Sequence, residues 1–378
     1  MSNILITGGA GFIGSNLALK IVSLGHQVTI LDNLSPQIHG PNPEATSPLY
    51  KSIFGKVHFI KGNVELKKDW LKAISGKDAI IHLAAETGTG QSMYNIKHYC
   101  NTNIGGTATL LDVLTNTKHS IEKLIVASSR AIYGEGLYLC NQHGKVNPHS
   151  RLDDDMQKGD FNCKCPICNS NVKLLPTPED STVQSSSIYG ITKYNQEQMS
   201  LLIGESLRIP TIALRFQNVY GPGQSLHNPY TGILSIFSNL IKNNKNITVF
   251  EDGLESRDFV YIDDVVQSII LSLDNSIMRY EPINIGTGVS VSVLKVAQKL
   301  IQIYGSTVNA NISGNYRVGD IRHNFADLSK AKEILNFKPK YTFEKGISLF
   351  GDWVNQQVIN DNNFQDSLIE MKNRKLFK

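Results

Sequence analysis

A short apolar run, Asn3–Thr7, leads into Gly8-Gly-Ala-Gly11-Phe-Ile-Gly14, and an amphipathic stretch from Phe12 to Leu24 follows at once. A strand, a glycine-rich turn and a helix in immediate succession form the opening unit of a parallel α/β sheet. The glycines are spaced G-x-x-G-x-x-G. The first permits a tight turn, the second lets the backbone approach a pyrophosphate, and the third allows close helix–strand packing. The helix N-terminus offers free N–H groups and a positive dipole end to the phosphates. Phe12 and Ile13 belong to the same loop and join Gly8, Gly11 and Gly14 as expected cofactor contacts. A second strand, Gln27–Leu31, ends at Asp32-Asn33. The Asp32 carboxylate is placed to accept from the two hydroxyls of an adenosine ribose and to repel a phosphate there, which predicts NAD over NADP.

Further strands are read at Val57–Ile60, Ala79–Leu83, Lys123–Ser128 and Thr211–Arg215, with helices at Tyr99–Leu114, carrying Asn103, and from Tyr189 through Leu202. Strands alternating with helices imply a doubly wound parallel sheet. Asn63-Val64 follows the third strand and flanks an adenine in this reading. Leu83-Ala84-Ala85 follows the fourth, where small residues let a dinucleotide cross the carboxyl ends of the strands. The fifth ends in Ser128-Ser129, which puts a hydroxyl at the same sheet edge.

The chain has 378 residues, 41% hydrophobic and 19% charged, with a formal net charge of +4. So mild and scattered a charge gives no argument for nucleic acid, and no nucleic-acid partner is expected. No signal peptide and no run of about 18 apolar residues is found, so the expected protein is cytoplasmic and has no membrane partner.

The alternation breaks from Glu135 to Asp180, a charged stretch with no helical or strand period. A structureless loop of that length inside a compact domain is uncommon unless it is stapled. Four of the five cysteines lie here, between Cys140 and Cys168. Cys140-x2-His143 and Cys165-Pro-Ile-Cys168 form two knuckle-like pairs that suit a tetrahedral structural Zn²⁺. Cys163 competes with Cys165, and His149 with His143.

Tyr189-Gly-Ile-Thr-Lys193 puts a phenol and an ammonium on one helix face, one turn apart. Alone, such a pair is commonly a solvated surface. Beside a nicotinamide it is a proton-transfer device, because a fixed cation lowers the pKa of a phenol. Beyond the sixth strand glycine and proline increase. Arg317-Val-Gly-Asp320-Ile-Arg322 reads as a polar loop, with helices at Asp263–Leu273, Val293–Tyr304, Leu328–Leu335 and Phe343–Val354 and a short strand at Pro282–Ile285.

Gly8-x2-Gly11-x2-Gly14, Asp32, Ser129, Tyr189-x3-Lys193, Asn218 and Arg257-Asp258 occur in that order. Together they resemble the extended short-chain dehydrogenase/reductase family, specifically its NAD-dependent nucleotide-sugar epimerases and dehydratases, across roughly residues 3–350. The resemblance implies a Rossmann-like NAD-binding domain at 1–134 and 181–217, with part of 258–280 returning to it. A zinc-ribbon-like insert at 135–180, a smaller C-terminal nucleotide-sugar-binding α/β domain at 218–360 and a flexible tail at 361–378 complete the expected organisation. It implies Tyr189 as base, Lys193 lowering the tyrosine pKa and holding the nicotinamide ribose, and Ser129 on the reacting oxygen. Asn218, Arg257 and Arg322 would hold the diphosphate or nucleotide, Thr87 and Gln91 the sugar or cofactor, and Asn103 the cofactor. It also implies a homodimer formed through the Asn103 and Tyr189 helices.

The 4,6-dehydratases of this family resemble one another in carrying Thr-Asp-Glu where this chain has Ser129-Arg130-Ala131. Neither Arg130 nor Ala131 can remove water across C5 and C6, whereas epimerisation at C4 needs neither carboxylate. The departure favours a 4-epimerase, with tightly bound NAD regenerated at each turnover. The insert, with Thr177-Pro-Glu-Asp180, Asn228-Pro-Tyr-Thr-Gly232 and Glu251-Asp-Gly253, resembles a subgroup that includes dTDP-L-rhamnose 4-epimerases. UDP-hexose 4-epimerases and nucleotide 4-keto-sugar reductases are the alternatives within the fold. A non-catalytic NAD-binding protein is the alternative outside enzymes, and it would need neither Tyr189 nor Lys193.

Overall fold

The structure is a computed structural model that describes residues 1–228, 230, 232–274, 276–359 and 364–378. Pro229 and Thr231 of the Asn228–Gly232 motif therefore lie outside the described residues, as do 361–363 of the expected tail.

Seven strands form one sheet: β1 (Asn3–Thr7), β2 (Gln27–Asp32), β3 (His58–Lys61), β4 (Ala79–His82), β5 (Lys123–Ser129), β6 (Thr211–Phe216) and β7 (Tyr280–Ile285). Their order is β7-β6-β5-β4-β1-β2-β3, and every pairing is parallel. The strand order reverses between β1 and β4, which opens a crevice at their carboxyl ends. The inner strands β4, β5 and β6 are buried throughout, as a parallel sheet requires, while the edge strand β3 is only partly covered. Within β1, Ile4 and Ile6 join one core cluster and Leu5 the other, with Trp70 and Leu110. That is the period-two alternation of a strand.

The seventh strand is longer than the Pro282–Ile285 reading and belongs to the large sheet. The chain thus returns to the cofactor half beyond residue 280, the expected limit. The helix Ile262–Ser272 returns too and packs on the Phe12–Ser23 helix. The Asn103 helix is interrupted: helix Ile96–Tyr99 runs into a π-helical turn, Cys100–Gly105, before helix Gly106–Asn116. Such turns widen a helix locally and re-aim a side chain, here Asn103.

The smaller C-terminal part holds a four-stranded sheet, in which Ser256–Tyr261 pairs with Asn218–Tyr220, Ser290–Ser292 and His323–Asn324. Helices Ile233–Lys242, Val293–Tyr304 and Phe343–Asn355 cover it.

Two expectations need correcting here. The insert is not without strands: Tyr138–Cys140 is the centre of a small antiparallel sheet with Gly144–Val146 and Lys173–Leu174. Strands of two or three residues are too short to show a period. Arg151 docks the insert, its buried guanidinium reaching Glu135 at 3.2 Å and Glu251 at 2.8 Å. Nor is the described part of the tail loose. Phe364–Asn373 is a helix that buries Phe364, Leu368 and Met371, an i, i+4, i+7 face diluted by polar neighbours in the sequence. Among the described residues no helix is long and apolar enough to cross a membrane.

Candidate active site

A cavity of about 500 Å³ runs along the carboxyl ends of the strands. Its floor is the glycine loop. Gly8 has φ +65°, and a β-carbon there would stand 2.8 Å from the Ala84 nitrogen. A β-carbon on Gly14 would stand 2.4 Å from the Gly8 carbonyl oxygen, so only glycine lets the helix sit on the loop. The Phe12–Ser23 helix has no side-chain N-cap and no acidic residue in its first turn. Its leading N–H groups remain available to an anion. Gly11, Phe12 and Ile13 line the same wall.

At the end of β2, the Asp32 carboxylate accepts from the Ala10 N–H at 3.0 Å and the Leu34 N–H at 2.8 Å. Burial pushes its pKa up, against those two N–H groups and nearby His39. Asn33, Asn63 and Val64 line this end, and Leu83, Ala84 and Ala85 line the middle. These residues form a cradle that fits a dinucleotide.

The reacting end gathers Ser129, Tyr189 and Lys193. Ser187 caps the Tyr189 helix, its hydroxyl accepting from the Gly190 N–H at 3.1 Å. The Tyr189 N–H donates to Ser92 Oγ at 3.0 Å. Burial pushes the Tyr189 phenol up, opposed by the Ser129 hydroxyl and then by the Arg130 charge. The Ser128 hydroxyl is committed elsewhere, donating to buried Glu197 at 2.6 Å, which leaves Ser129 as the strand-end hydroxyl facing Tyr189.

The Lys193 ammonium donates to Gln196 Oε1 at 2.6 Å, and burial lowers its pKa to about 7, opposed by Glu197. Gln196 in turn donates to Thr107 Oγ1 at 2.7 Å, which meets His82 Nε2 at 3.0 Å. His82 Nδ1 lies 2.7 Å from Thr7 Oγ1 beneath the glycine loop. Burial lowers the His82 pKa to about 3, with the Lys193 charge adding to it, so the ring is neutral.

Three expected residues stand apart from the cavity. Asn103 is fully buried and clamps the loop after β4, accepting from the Glu86 N–H at 2.7 Å and donating to the Glu86 carbonyl at 3.1 Å. It shapes the cofactor wall without lining it. Arg322 is 2% exposed and binds Asp252 through both terminal nitrogens at 2.6 Å, with Glu251 at 2.9 Å. Arg257 serves Asp320 at 2.8 Å and three backbone carbonyls. Buried arginines need such partners, which the sequence does not reveal.

The arginines on the cavity are Arg130 and Arg317. Arg130 Nε donates to Asn218 Oδ1 at 2.9 Å. Arg317 lies over the Phe250 ring at 4.9 Å, and its Nε has no protein partner. Burial pushes the Asp320 carboxyl up, yet the Arg257, Arg317, Arg130 and Arg151 charges outweigh it and hold the pKa below the usual value. Arg257 pairs with Asp320 and Arg151 with Glu135 and Glu251, which leaves Arg130 and Arg317 as the guanidinium groups on the cavity suited to a phosphate. Arg317 was visible as one of two arginines in a polar loop, whereas Arg130 and Gln196 carried no motif of their own. Thr87 and Gln91 line the cavity beside this region. Gln91 Oε1 accepts from the Tyr99 hydroxyl at 3.0 Å and from Gln37 at 3.1 Å.

In the insert, the ligand atoms of Cys140, His143, Cys165 and Cys168 lie within 4.8 Å of one another. Cys163 is elsewhere, its thiol 3.3 Å from the Tyr138 hydroxyl. His149 is not in the cluster.

Comparison with known proteins places this geometry. The chain is 35% identical over 358 residues to a dTDP-L-rhamnose 4-epimerase of Burkholderia thailandensis, covering 94% of this chain and 95% of that one. It is 30% identical over 354 residues to a putative UDP-glucose 4-epimerase of Methanocaldococcus jannaschii, covering 93% and 98%. Among solved structures it is similar to a UDP-glucuronic acid 4-epimerase of Bacillus cereus in complex with UDP-glucuronic acid and NAD. The TM-score there is 0.75 and the identity 26%, over 94% of this chain and 99% of that one. A family model also matches residues 4–151 and 170–286, and by that match the chain belongs to the NAD dependent epimerase/dehydratase family.

Proposed function

We propose that the chain is an NAD-dependent nucleotide-sugar 4-epimerase whose substrate is dTDP-L-rhamnose or a related dTDP-6-deoxyhexose. One observation carries this reading. Ser129, Tyr189 and Lys193 meet the glycine cradle in one cavity, while the turn after Ser129 presents Arg130 and Ala131 with no carboxylate for elimination. The nearby Glu86 lines the cavity too, but its carboxylate is paired with His98 at 3.2 Å.

NAD would be held by Gly8, Gly11 and Gly14 at the pyrophosphate, Asp32 at the adenosine ribose and Lys193 at the nicotinamide ribose. When bound it takes a hydride from the sugar C4 and returns it. Tyr189 as phenolate removes the proton from the C4 hydroxyl and later gives it back. Ser129 donates to the same oxygen and stabilises its charge. Asn218 and Arg317, with Arg130, hold the diphosphate, which keeps the nucleotide fixed while the keto sugar turns over.

The relatives named for UDP-glucose and UDP-glucuronic acid favour a second reading, a UDP-hexose 4-epimerase. Incubation with dTDP- and UDP-sugars, followed by NMR, separates the two by which substrate inverts at C4. Inversion of none, or net consumption of reduced nicotinamide, would refute both.

The insert is proposed to hold a structural zinc ion. Cys140 Sγ and Cys165 Sγ each stand 3.6 Å from His143 Nδ1, and Cys140 Sγ stands 3.7 Å from Cys168 Sγ. Ligands about 2.3 Å (sulfur) and about 2.1 Å (nitrogen) from one tetrahedral centre stand about 3.6 to 3.8 Å apart. A homodimer is proposed through the Asn103 and Tyr189 helices, supported on the latter by Ile191 and Leu202, which are 45% and 68% exposed there. The proposed compartment is the cytoplasm, supported by five cysteines that are all free.

A further inference from the structure

The C-terminal helix Phe364–Asn373 carries Ser367 and Met371 onto the wall of the cavity. A β-carbon added at Gly90, in the loop after β4, would lie 3.2 Å from Met371 Cε. The helix therefore stands directly against the loop that carries Thr87 and Gln91.

Its anchorage joins both halves of the molecule. Glu370 Oε2 accepts from the Tyr230 hydroxyl at 2.7 Å and from the Tyr94 hydroxyl at 3.1 Å, and the two hydroxyls lie 2.9 Å apart. Tyr94 comes from the cofactor half and Tyr230 from the segment after Asn218. Arg374 closes the cluster, pairing with Glu370 at 3.1 Å and lying over the Tyr94 ring at 4.4 Å. A helix of ten residues is not stable in isolation, so these contacts and its buried face hold it in place.

The chain then continues to Arg317. The Tyr316 and Lys378 backbones exchange hydrogen bonds of 2.9 and 3.0 Å, and the Val318 N–H donates to the Leu376 carbonyl at 3.0 Å. Phe377 packs on Phe250 at 5.0 Å, the ring over which the Arg317 guanidinium lies. One segment thus forms a wall of the cavity and fixes an arginine that points into it.

We propose that the C-terminal helix is part of the sugar-nucleotide site, with Met371 and Ser367 as specificity-determining residues and Glu370 as the residue that positions them. This rests on the nucleotide-sugar reading above. Met371 supplies an adaptable apolar surface to the hexose. Glu370 acts only by pinning the helix across the mouth.

The test compares full-length wild type with Glu370→Ala and Met371→Ala. Nucleotide-sugar binding is followed by calorimetry, turnover by NMR and NAD content by absorbance after denaturation. Glu370→Ala is expected to raise KM and Kd for the nucleotide sugar about tenfold, with kcat and NAD content little changed. Met371→Ala leaves Phe364, Leu368 and the Glu370 cluster to hold the helix and is expected to change the ratio of kcat/KM between 6-deoxy and 6-hydroxy sugars. Wild type that binds nucleotide sugar while both variants match it in KM, Kd and sugar preference would overturn the inference alone. Wild type that binds no nucleotide sugar would overturn the underlying reading and this inference with it.

Discussion

Arg130 Nε donates to Asn218 Oδ1 at 2.9 Å, which ties the turn after Ser129 to the strand that opens the substrate half. Among the described residues the terminal nitrogens of Arg130 have no hydrogen-bond partner, and the side chain lines the cavity with Tyr189. The family resemblance gave the task of lowering the tyrosine pKa to Lys193. Here the Lys193 ammonium is held by Gln196, and the cation that opposes the effect of burial on Tyr189 is Arg130.

Removing that cation raises the phenol pKa, so less phenolate is present at any given pH. Arg130→Gln should therefore move the acid limb of the kcat/KM–pH profile to higher pH, by about one unit. NAD content should stay at the wild-type level. An unmoved limb would assign the task back to Lys193.

Tyr189→Phe removes the proposed base for the C4 hydroxyl proton while leaving the glycine cradle intact. Turnover should fall by about 10²–10⁴-fold with NAD still bound. Full activity in this variant would end the proposed mechanism. Retained NAD in an inactive protein is the outcome that separates lost chemistry from lost folding.

Asp32 is expected to decide between the two dinucleotides. Its carboxylate is buried among the Ala10 and Leu34 N–H groups, where a second anion would meet a fixed negative charge. Asp32→Ala should weaken NAD by about 1.5–3 kcal/mol, the worth of hydrogen bonds to a charged acceptor. It should also narrow the preference for NAD over NADP. Competition binding of the two cofactors measures both effects.

Arg322 and Arg317 should respond oppositely to substitution. Arg322 is enclosed by Asp252 and Glu251, so Arg322→Met removes the ion pair of half-exposed Asp252 and one of the two arginine partners of Glu251, Arg151 being the other, and should cost about 1–3 kcal/mol of stability. Arg317 faces the cavity with its Nε unpartnered, so Arg317→Met should raise KM for the nucleotide sugar with a smaller loss of Tm. Thermal melts and kinetics on both variants decide the assignment. A rise in KM with an unchanged melt for Arg322→Met would reverse it.

What the sequence disclosed follows from the range of each interaction. The glycine loop, Asp32, Ser129 and the Tyr189–Lys193 pair, which the structure gathers on one cavity, were legible because each sits in a local motif next to a strand end or a helix start. Arg257, Arg322 and Asn103 were misplaced because their partners, Asp320, Asp252 and Glu86, are chosen by tertiary packing. Type alone does not say whether an arginine meets a carboxylate of its own chain or the phosphate of a ligand. The C-terminal helix was missed for the same reason. Its apolar face is narrow, and Glu370 acquires its role only where Tyr94 and Tyr230 converge.

The insert is the remaining place where composition and geometry agree. No core of ordinary size holds residues 135–180: one buried cluster is Tyr138, Val146 and three cysteines, with Cys168, Val172 and Leu174 at its edge, and the other is Met156 and Phe161 with Tyr316. Ordering so many residues is costly for clusters this small, and a bound ion would offset part of that cost. Protein purified without chelator should carry about one zinc per chain. Cys165→Ser removes a ligand that spacing and geometry both select, and should release the metal and lower Tm. Cys163→Ser changes a thiol that meets the Tyr138 hydroxyl and stands outside the cysteine–histidine cluster, and should retain it. Because Arg151 of the insert pairs with Glu251, which also binds Arg322, loss of zinc should loosen the substrate half as well as the insert. KM for the nucleotide sugar should then rise along with the fall in Tm. A metal-free wild-type protein with an unchanged melt and KM in chelator would remove the staple from the account.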